Sequence, residues 1–125
     1  MSWESFTEAE LWEVIIEAEA CMDIPAGRLW DVTRIEPQKW QCTPWGETGG
    51  GFWVVGLAGS LVLWYNDIEE GFNLSPWTQY GIIGEYRCSQ DELEHALQNL
   101  LRLIETGEGF RYMGPPIPFD VKYPV

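Results

Sequence analysis

Two amphipathic helical patterns flank the middle of the chain. The first helix is predicted to begin at Glu8, because Thr7 and Glu10 form a capping box and Phe6 can staple to Leu11. At about 100° per residue, its apolar positions up to about residue 22 share one face: Leu11, Ile15, Ala18 and Met22.

Glu19 interrupts this first pattern because it falls inside the apolar arc. Two explanations are open. Either the helix has frayed before Glu19, or the Glu19 side chain lines a pocket. The second explanation makes Glu19 a candidate pocket residue.

The second helical pattern lies near the C-terminal end. Ser89 is the predicted N-cap, Glu92 closes the capping box, and Cys88 can staple to Leu93. Gly107 stands where a left-handed residue is expected to end the helix. The predicted apolar stripe consists of Leu93, Ala96, Leu97, Leu100, Leu101 and Ile104.

Between the helices, "GFWVVGL" and "SLVLWY" predict a β-hairpin that turns around Ala58 and Gly59. Neither run alternates with polar residues, so both faces of the hairpin should be covered, as in the centre of a sheet. Further strands are predicted in "YGIIGEYRC" (80–88) and in "RLWDVTRI" (28–35) or "KWQCTPW" (39–45).

The order of helix, strands and helix predicts one α+β domain over residues 1–125. Its mostly antiparallel sheet contains the central hairpin, and an N-terminal and a C-terminal helix pack on that sheet. The tail carries Pro115, Pro116, Pro118 and Pro124 and is predicted to be an extended segment. Its side chains expected to pack on the body are Phe110, Tyr112, Ile117, Phe119 and Tyr123.

The composition narrows the choice of partners. Twenty acidic against seven basic residues give a net charge of -13, which repels nucleic acid and anionic membranes. No apolar run approaches the roughly 20 residues of a membrane span, and the acidic start "MSWESFTEAE" is unlike a signal peptide, so a cytoplasmic protein is expected. Cys21, Cys42 and Cys88 fit reduced thiols. Eight tryptophans suggest that some rings meet a partner or a sugar.

The sequence offers no convincing catalytic or cofactor motif. Gly49 to Gly51 precede a strand, whereas a phosphate loop precedes a helix. His95 falls on the polar helix face, and Ser60 lacks the elbow that activates a serine. The cysteines and His95 lack the short spacing of zinc ligands. No cofactor or metal is therefore expected, and an enzyme is less expected than a binding protein.

The stretch "WYNDIEEGFNLSPW" is the predicted partner-binding site, which we call the acidic-aromatic rim. Because it follows a central strand, it should lie at the edge of a sheet, where loops form contact surfaces. Its carboxylates could also bind a hard cation, act as a glycosidase pair, or simply form a solvated turn. The predicted contact residues are Trp64, Tyr65, Asp67, Glu69, Glu70, Phe72 and Trp77.

The segment from Trp64 to Leu93, about a quarter of the chain, resembles a block found in small bacterial proteins described as hypothetical, and this likeness implies no activity. In type, a compact, acidic, tryptophan-rich α+β domain is similar to the immunity proteins that neutralise bacterial toxins by covering a basic active site. The first hypothesis is thus an immunity or inhibitor protein that binds a basic protein partner.

Two alternatives remain open from the sequence. One is a small-molecule or carbohydrate pocket, with possible weak hydrolase character, that is lined by tryptophan and by Glu19 or the carboxylates of residues 67–70. The other is a homodimeric accessory domain in which the second apolar face of the sheet forms the dimer interface. A monomer or a homodimer is therefore expected.

Overall fold

The computed structural model describes residues 4–46 and 49–107, which form three helices and one four-stranded antiparallel sheet. The predicted α+β class is confirmed. The predicted packing of the tail falls outside the described residues. The elements are α1 (Glu8–Cys21), α2 (Ile24–Thr33), β1 (Arg34–Trp40), β2 (Phe52–Ala58), β3 (Leu61–Asn66), β4 (Gly71–Pro76) and α3 (Leu93–Thr106).

Helix α1 begins as predicted. The Glu10 backbone N–H donates to Thr7 Oγ1 (3.1 Å), and the Thr7 backbone N–H donates to Glu10 Oε1 (3.0 Å), which completes the capping box. The helix continues without a break to Cys21, so the fraying explanation for Glu19 is wrong. Its buried side chains are Leu11, Ile15 and Ala18, all on the predicted face.

Helix α2 corrects the strand predicted at residues 28–35. The Asp23 side chain caps it by accepting the Ala26 N–H at 2.9 Å, and Pro25 lies in the first turn, where its missing N–H has no cost. Ala26, Trp30 and Thr33 are buried on one face. The local start signal therefore outweighs the strand preference of the apolar residues that follow it.

The C-terminal half of α3 matches its prediction at Gly107, whose left-handed backbone (φ 71°) ends the helix with an N–H bond to Leu103 O at 2.7 Å. The stripe is turned slightly from the predicted one. Leu103 is buried, whereas Ile104 is 59% exposed. The predicted Ile104 position therefore lies at the edge of the buried face.

The prediction that Ser89 caps the start of α3 is wrong. Glu92 is the N-cap, and its side chain makes no capping hydrogen bond. Ser89 lies before the helix, where its backbone N–H donates to the Asn73 side chain at 2.8 Å. The predicted serine cap is therefore replaced by an attachment to strand β4.

The hairpin of β2 and β3 forms the centre of the sheet, as predicted, in the strand order β1-β2-β3-β4. Its register runs from Trp53 opposite Tyr65 to Ala58 opposite Leu61, and Gly59 adopts a positive φ of 59° in the turn. Every residue of β3 is buried, because the sheet is covered on both faces.

The two sheet faces bury different clusters. On one face, Val55, Leu63 and Phe72 pack against all three helices. On the other face, Phe52, Val54, Val62, Trp64, Trp40 and Ile83 form a second cluster. Within the described residues, the chain itself thus covers the second face, which the homodimer hypothesis had assigned to a partner copy.

Residues 77–92 do not contain the strand predicted at 80–88. This segment crosses the second face and is held by buried polar side chains, because Ser75 Oγ donates to Glu85 O (2.7 Å) and Asn66 Nδ2 donates to Arg87 O (2.9 Å). Apart from single bridges at Ile82 and Asp91, its described backbone is not paired as a strand. Side-chain bonds and isolated backbone bonds, such as Ile83 N–H to Gln41 O at 2.8 Å, therefore fix its path without a continuous strand ladder.

Candidate functional site

The acidic-aromatic rim is not one surface in the structure. Trp64 is completely buried, Phe72 is 1% exposed and Tyr65 is 7% exposed. These rings lie in β3 and β4, where the sheet is covered on both faces, so they stabilise the core and cannot touch a partner in this conformation. The prediction that these three residues lie at a surface is therefore wrong, because they belong to the core.

The remaining members of the rim lie at opposite ends of β4. Glu69 and Glu70 belong to the turn that precedes Gly71, whereas Trp77 follows Pro76. A six-residue strand separates them by roughly 17 Å at 3.3 Å per residue. Trp77 instead lies beside the hairpin turn, where its indole N–H donates to Gly59 O at 3.1 Å.

The turn at residues 67–70 confirms the solvated-turn explanation in part. Asn66 Oδ1 accepts the backbone N–H groups of Ile68 (3.0 Å) and Glu69 (3.2 Å), as in an Asx turn. Glu70 adopts a positive φ of 60° and is exposed. Asp67 differs from its neighbours because it is only 8% exposed.

Asp67 attaches the N-terminal segment to this turn. Its Oδ2 accepts the Phe6 backbone N–H at 2.7 Å and the Ser5 hydroxyl at 3.4 Å. Burial raises the pKa of the Asp67 carboxyl, although the Phe6 hydrogen bond and the charge of Lys39 oppose the shift. Its Oδ1 has no hydrogen-bond partner among the described residues.

Lys39 lies next to this carboxylate and completes a small polar cluster. Its Nζ donates to Ser5 Oγ (2.6 Å), Gly49 O (2.8 Å) and Gly51 O (3.4 Å), and it lies 5.0 Å from the centre of the Trp53 ring. Burial lowers the pKa of Lys39. A lysine beside a serine is the pairing used by some hydrolases, but all three N–H donors of this ammonium already have acceptors. The cluster therefore ties three segments together and does not resemble a poised nucleophile.

Tyr65 faces the same carboxylates from the core. Burial, followed by the charges of Glu70 and Asp67, raises the pKa of Tyr65 to about 12. The phenol thus stays neutral over the physiological range, which agrees with a structural role.

Glu19 is half-buried and takes part in a local network. Its Oε2 accepts the Trp30 indole N–H at 2.7 Å and forms an ion pair with Arg34 at 2.8 Å. The Arg34 guanidinium in turn lies 5.2 Å from the Trp30 ring centre. Glu19 is therefore stabilised within the apolar arc by partners on α2 and at the start of β1.

Among the described residues, the most exposed aromatic group lies on the side of the sheet opposite the helices. Among its members, Trp45 is 44% exposed, Tyr80 is 59% exposed and Ile82 is 42% exposed. Trp77 and Tyr86 beside them are half-buried. We call this group the aromatic surface, and its members are Trp45, Trp77, Tyr80, Ile82 and Tyr86.

Ring stacking and hydrogen bonds hold the aromatic surface in place. Trp45 stacks on Tyr86 with ring centres 4.3 Å apart and planes 14° apart. Tyr80 packs on the buried Trp40 ring at 4.9 Å and donates its hydroxyl to Gln38 Oε1 at 2.6 Å. The exposed rings are thus fixed before any partner arrives, which lowers the entropy cost of binding.

Of the aromatic surface, only Trp77 was predicted as a contact residue. The high tryptophan content had indicated exposed rings without locating them. Tyr80 and Ile82 alternate along the chain, and one short bridge between Gln41 and Ile82 brings their segment next to that of Trp45. That long-range pairing has no signature in either segment alone.

The described part of the chain offers neither a metal-binding cluster nor a candidate thiol site. No group of three or more histidine, cysteine or acidic side chains converges there to hold a metal ion. Cys42 is buried, and burial raises the pKa of its thiol. Cys21 and Cys88 are exposed on separate elements.

Comparison with known proteins adds no assignment. No protein-family model, no curated protein and no solved structure matches this chain. Over the described ranges, no helix is both long enough and apolar enough to cross a membrane. The geometry of the aromatic surface therefore supplies the argument for function.

Proposed function

We propose that the protein is a cytoplasmic binding protein that docks its aromatic surface on a basic protein partner, as an inhibitor or immunity protein would. The observation that carries this proposal is the exposure of Trp45 and Tyr80 on rings that are already fixed by stacking. Tryptophan and tyrosine dominate the energetics of protein interfaces because they bury a large area with few rotatable bonds.

The charge of the chain supports the choice of a basic partner. A net charge of -13 creates a negative field that attracts a positive surface and raises the association rate. Glu69 and Glu70 lie in a turn far from Trp77, so they contribute to this field over a distance and do not surround the anchor rings. In this proposal the rings determine the lifetime of the complex, and the carboxylates determine the rate of encounter.

Kinetics with a captured partner test the proposal. The full chain is used to isolate partners from its host at low and moderate salt, and the rates are then measured with the purified partner. Trp45→Ala should raise the dissociation rate about 30-fold, which corresponds to about 2 kcal/mol for a buried anchor. Ile24→Ala is the matched control, because Ile24 is 72% exposed but lies on α2, outside the aromatic surface.

Three results would contradict this function. The captured partner could be acidic, its association rate could be independent of salt, or Trp45→Ala and Tyr80→Ala could both dissociate at the parent rate. Circular dichroism of each variant checks that the fold is retained, since substitutions of exposed residues usually change stability by only about 0.5 kcal/mol.

A carbohydrate is the second candidate ligand, and the flat stack of Trp45 on Tyr86 favours it. An exposed indole face can pack against the C–H face of a sugar ring. Titration with neutral oligosaccharides, followed by tryptophan fluorescence, distinguishes the two candidates. A saturable change that Trp45→Ala abolishes, without dependence on salt, would favour the sugar over the basic protein.

A further inference from the structure

An apolar groove opens between α2, α3 and the hairpin turn, on the helix side of the sheet. Its cavity volume is about 450 Å³. Val32 and Ile104 at its edge are 80% and 59% exposed, which is unusual for aliphatic side chains. The lining residues are Leu29, Val32, Thr33, Leu57, Ala58, Gly59, Leu61, Leu100, Leu103 and Ile104.

The one polar side chain among the lining residues, Thr33, and the carbonyl oxygen of Gly59 are already engaged within the protein. The Thr33 hydroxyl donates to Leu29 O at 2.9 Å, and Gly59 O accepts the Trp77 indole N–H at 3.1 Å. A small-molecule site normally carries a few free polar groups that orient its ligand. The groove therefore suits apolar side chains of a polypeptide better than a polar metabolite.

We propose that the C-terminal segment of this same chain, residues 108–125, occupies the groove. The described part of the chain ends at Gly107, directly after the last turn of α3. Leu103 and Ile104, which line the groove, lie only four and three residues earlier. The left-handed Gly107 ends the helix within one turn of these two lining residues, so the last described residue lies close to the groove.

The composition of the segment fits an apolar groove on an acidic body. Residues 108–125 contain two acidic and two basic side chains, so they are neutral, and the preceding 107 residues carry the whole charge of -13 (5 basic minus 18 acidic). Eight of the 18 residues are apolar or aromatic. Those eight are Phe110, Tyr112, Met113, Ile117, Phe119, Val121, Tyr123 and Val125.

The length and stiffness of the segment also allow this docking. Phe110 is three residues from Gly107, a reach of about 10 Å when extended, and the 18 residues together reach up to about 60 Å. Pro115, Pro116 and Pro118 restrict the free chain and lower the entropy that is lost when it docks. A second copy fits less well, because two acidic bodies repel and a concave groove cannot fill itself in a two-fold dimer.

Photo-crosslinking in the full chain tests this inference. A p-benzoylphenylalanine replaces Val32 at the groove, and the control carries the same group in place of Ile24 on the same helix. The Val32 position should crosslink within the chain to residues 108–125, with a yield that is independent of protein concentration. The Ile24 position should give several-fold less of this product.

Each other outcome would overturn the inference. A crosslinked dimer whose yield rises with concentration would assign the groove to a second copy. A crosslink to another host protein, or equal yields from the two positions, would show that the segment does not lie there. The two sites share no residue and adjoin only at the hairpin turn, where Trp77 donates to Gly59. Because Val32 lies on α2, away from that turn, none of these results depends on the proposed partner.

Hydrogen exchange provides a second measurement that does not use an unnatural residue. In the full chain, amides of residues 108–125 should exchange about tenfold more slowly than in the free peptide of the same sequence. The double variant Val32→Asp with Ile104→Asp should remove that protection, and both side chains are exposed enough for the body to remain folded. Equal exchange in the parent and the free peptide would contradict the proposal.

Discussion

The Asp67 carboxyl connects the N-terminal segment to the β3–β4 turn, and its burial makes it sensitive to pH. Burial raises its pKa in the folded state above the ordinary value. Between these two pKa values the folded protein binds the proton more tightly than the unfolded chain does. The contribution of Asp67 to the free energy of unfolding therefore grows as pH falls through this interval, and it shrinks as pH rises.

Asp67→Asn should remove this contribution while an acceptor for the Phe6 N–H remains. We expect the parent to gain stability relative to the variant as pH falls from about 7 to about 4. Urea unfolding of both proteins over that range measures the difference between their free energies of unfolding. The contributions of the other carboxyl groups are nearly the same in the two proteins, so they largely cancel in this difference. A difference that stays constant, or that changes in favour of the variant at acidic pH, would show that Asp67 is not buried as described.

The two long helices differ in how their first turns are capped. Thr7 caps α1 with a complete capping box, whereas Glu92 occupies the N-cap of α3 without a side-chain bond. Glu92→Ser should therefore raise the free energy of unfolding by about 0.5–1 kcal/mol, and Thr7→Ala should lower it by about 1 kcal/mol. Thermal unfolding measures both changes.

Glu92→Ala is the control for the α3 cap, because it removes the same charge but supplies no hydroxyl. If the alanine variant is as stable as the serine variant, relief of charge repulsion explains the gain and the cap contributes nothing. A serine variant that is more stable than the alanine variant isolates the capping hydrogen bond.

Elements with local signals could be predicted from the sequence. The α1 capping box involves residues three apart, and the β2–β3 turn joins strands that are adjacent in the chain. Helix α2 was missed because its aromatic and β-branched residues favour a strand, while its start depends on Asp23 and Pro25 immediately after α1. Residues 80–88 were mistaken for a strand because Asn66 and Ser75 hold them through long-range side-chain bonds.

The candidate site was harder to predict than the elements. Trp64 lies in a strand that was predicted to be covered on both faces, so its place in the rim conflicted with that prediction. Phe72 was missed because it lies on β4, a strand that was not predicted. Trp77 lies next to the acidic turn in sequence, but an intervening strand places it at the other end of the sheet. Exposure depends on which segments cross a face, and that information is distributed over the whole chain.

The molecule as a whole separates an acidic exterior from two apolar surfaces on opposite sides of one sheet. The aromatic surface is built on the side crossed by residues 77–92, and the apolar groove lies among the helices and the hairpin turn. The proposed binding face and the groove proposed for residues 108–125 share no lining residue, so the two proposals are compatible.

The net charge of -13 should make the stability of the whole molecule depend on salt, because like charges on one small domain repel in the folded state. Raising sodium chloride from about 10 to about 300 mM shortens the screening length from roughly 30 Å to below 10 Å. We expect the melting temperature to rise by about 3–5 °C, which corresponds to about 1 kcal/mol for a chain of this size. Glu69→Lys with Glu70→Lys changes the net charge from -13 to -9 and should reduce this rise.

Salts of different anions at equal ionic strength should act alike if screening is the cause. A melting temperature that is unchanged by salt, or an equal rise in the double variant, would mean that the acidic side chains are spaced too widely on the surface to repel one another, and the steering field of the proposed function would lose its basis.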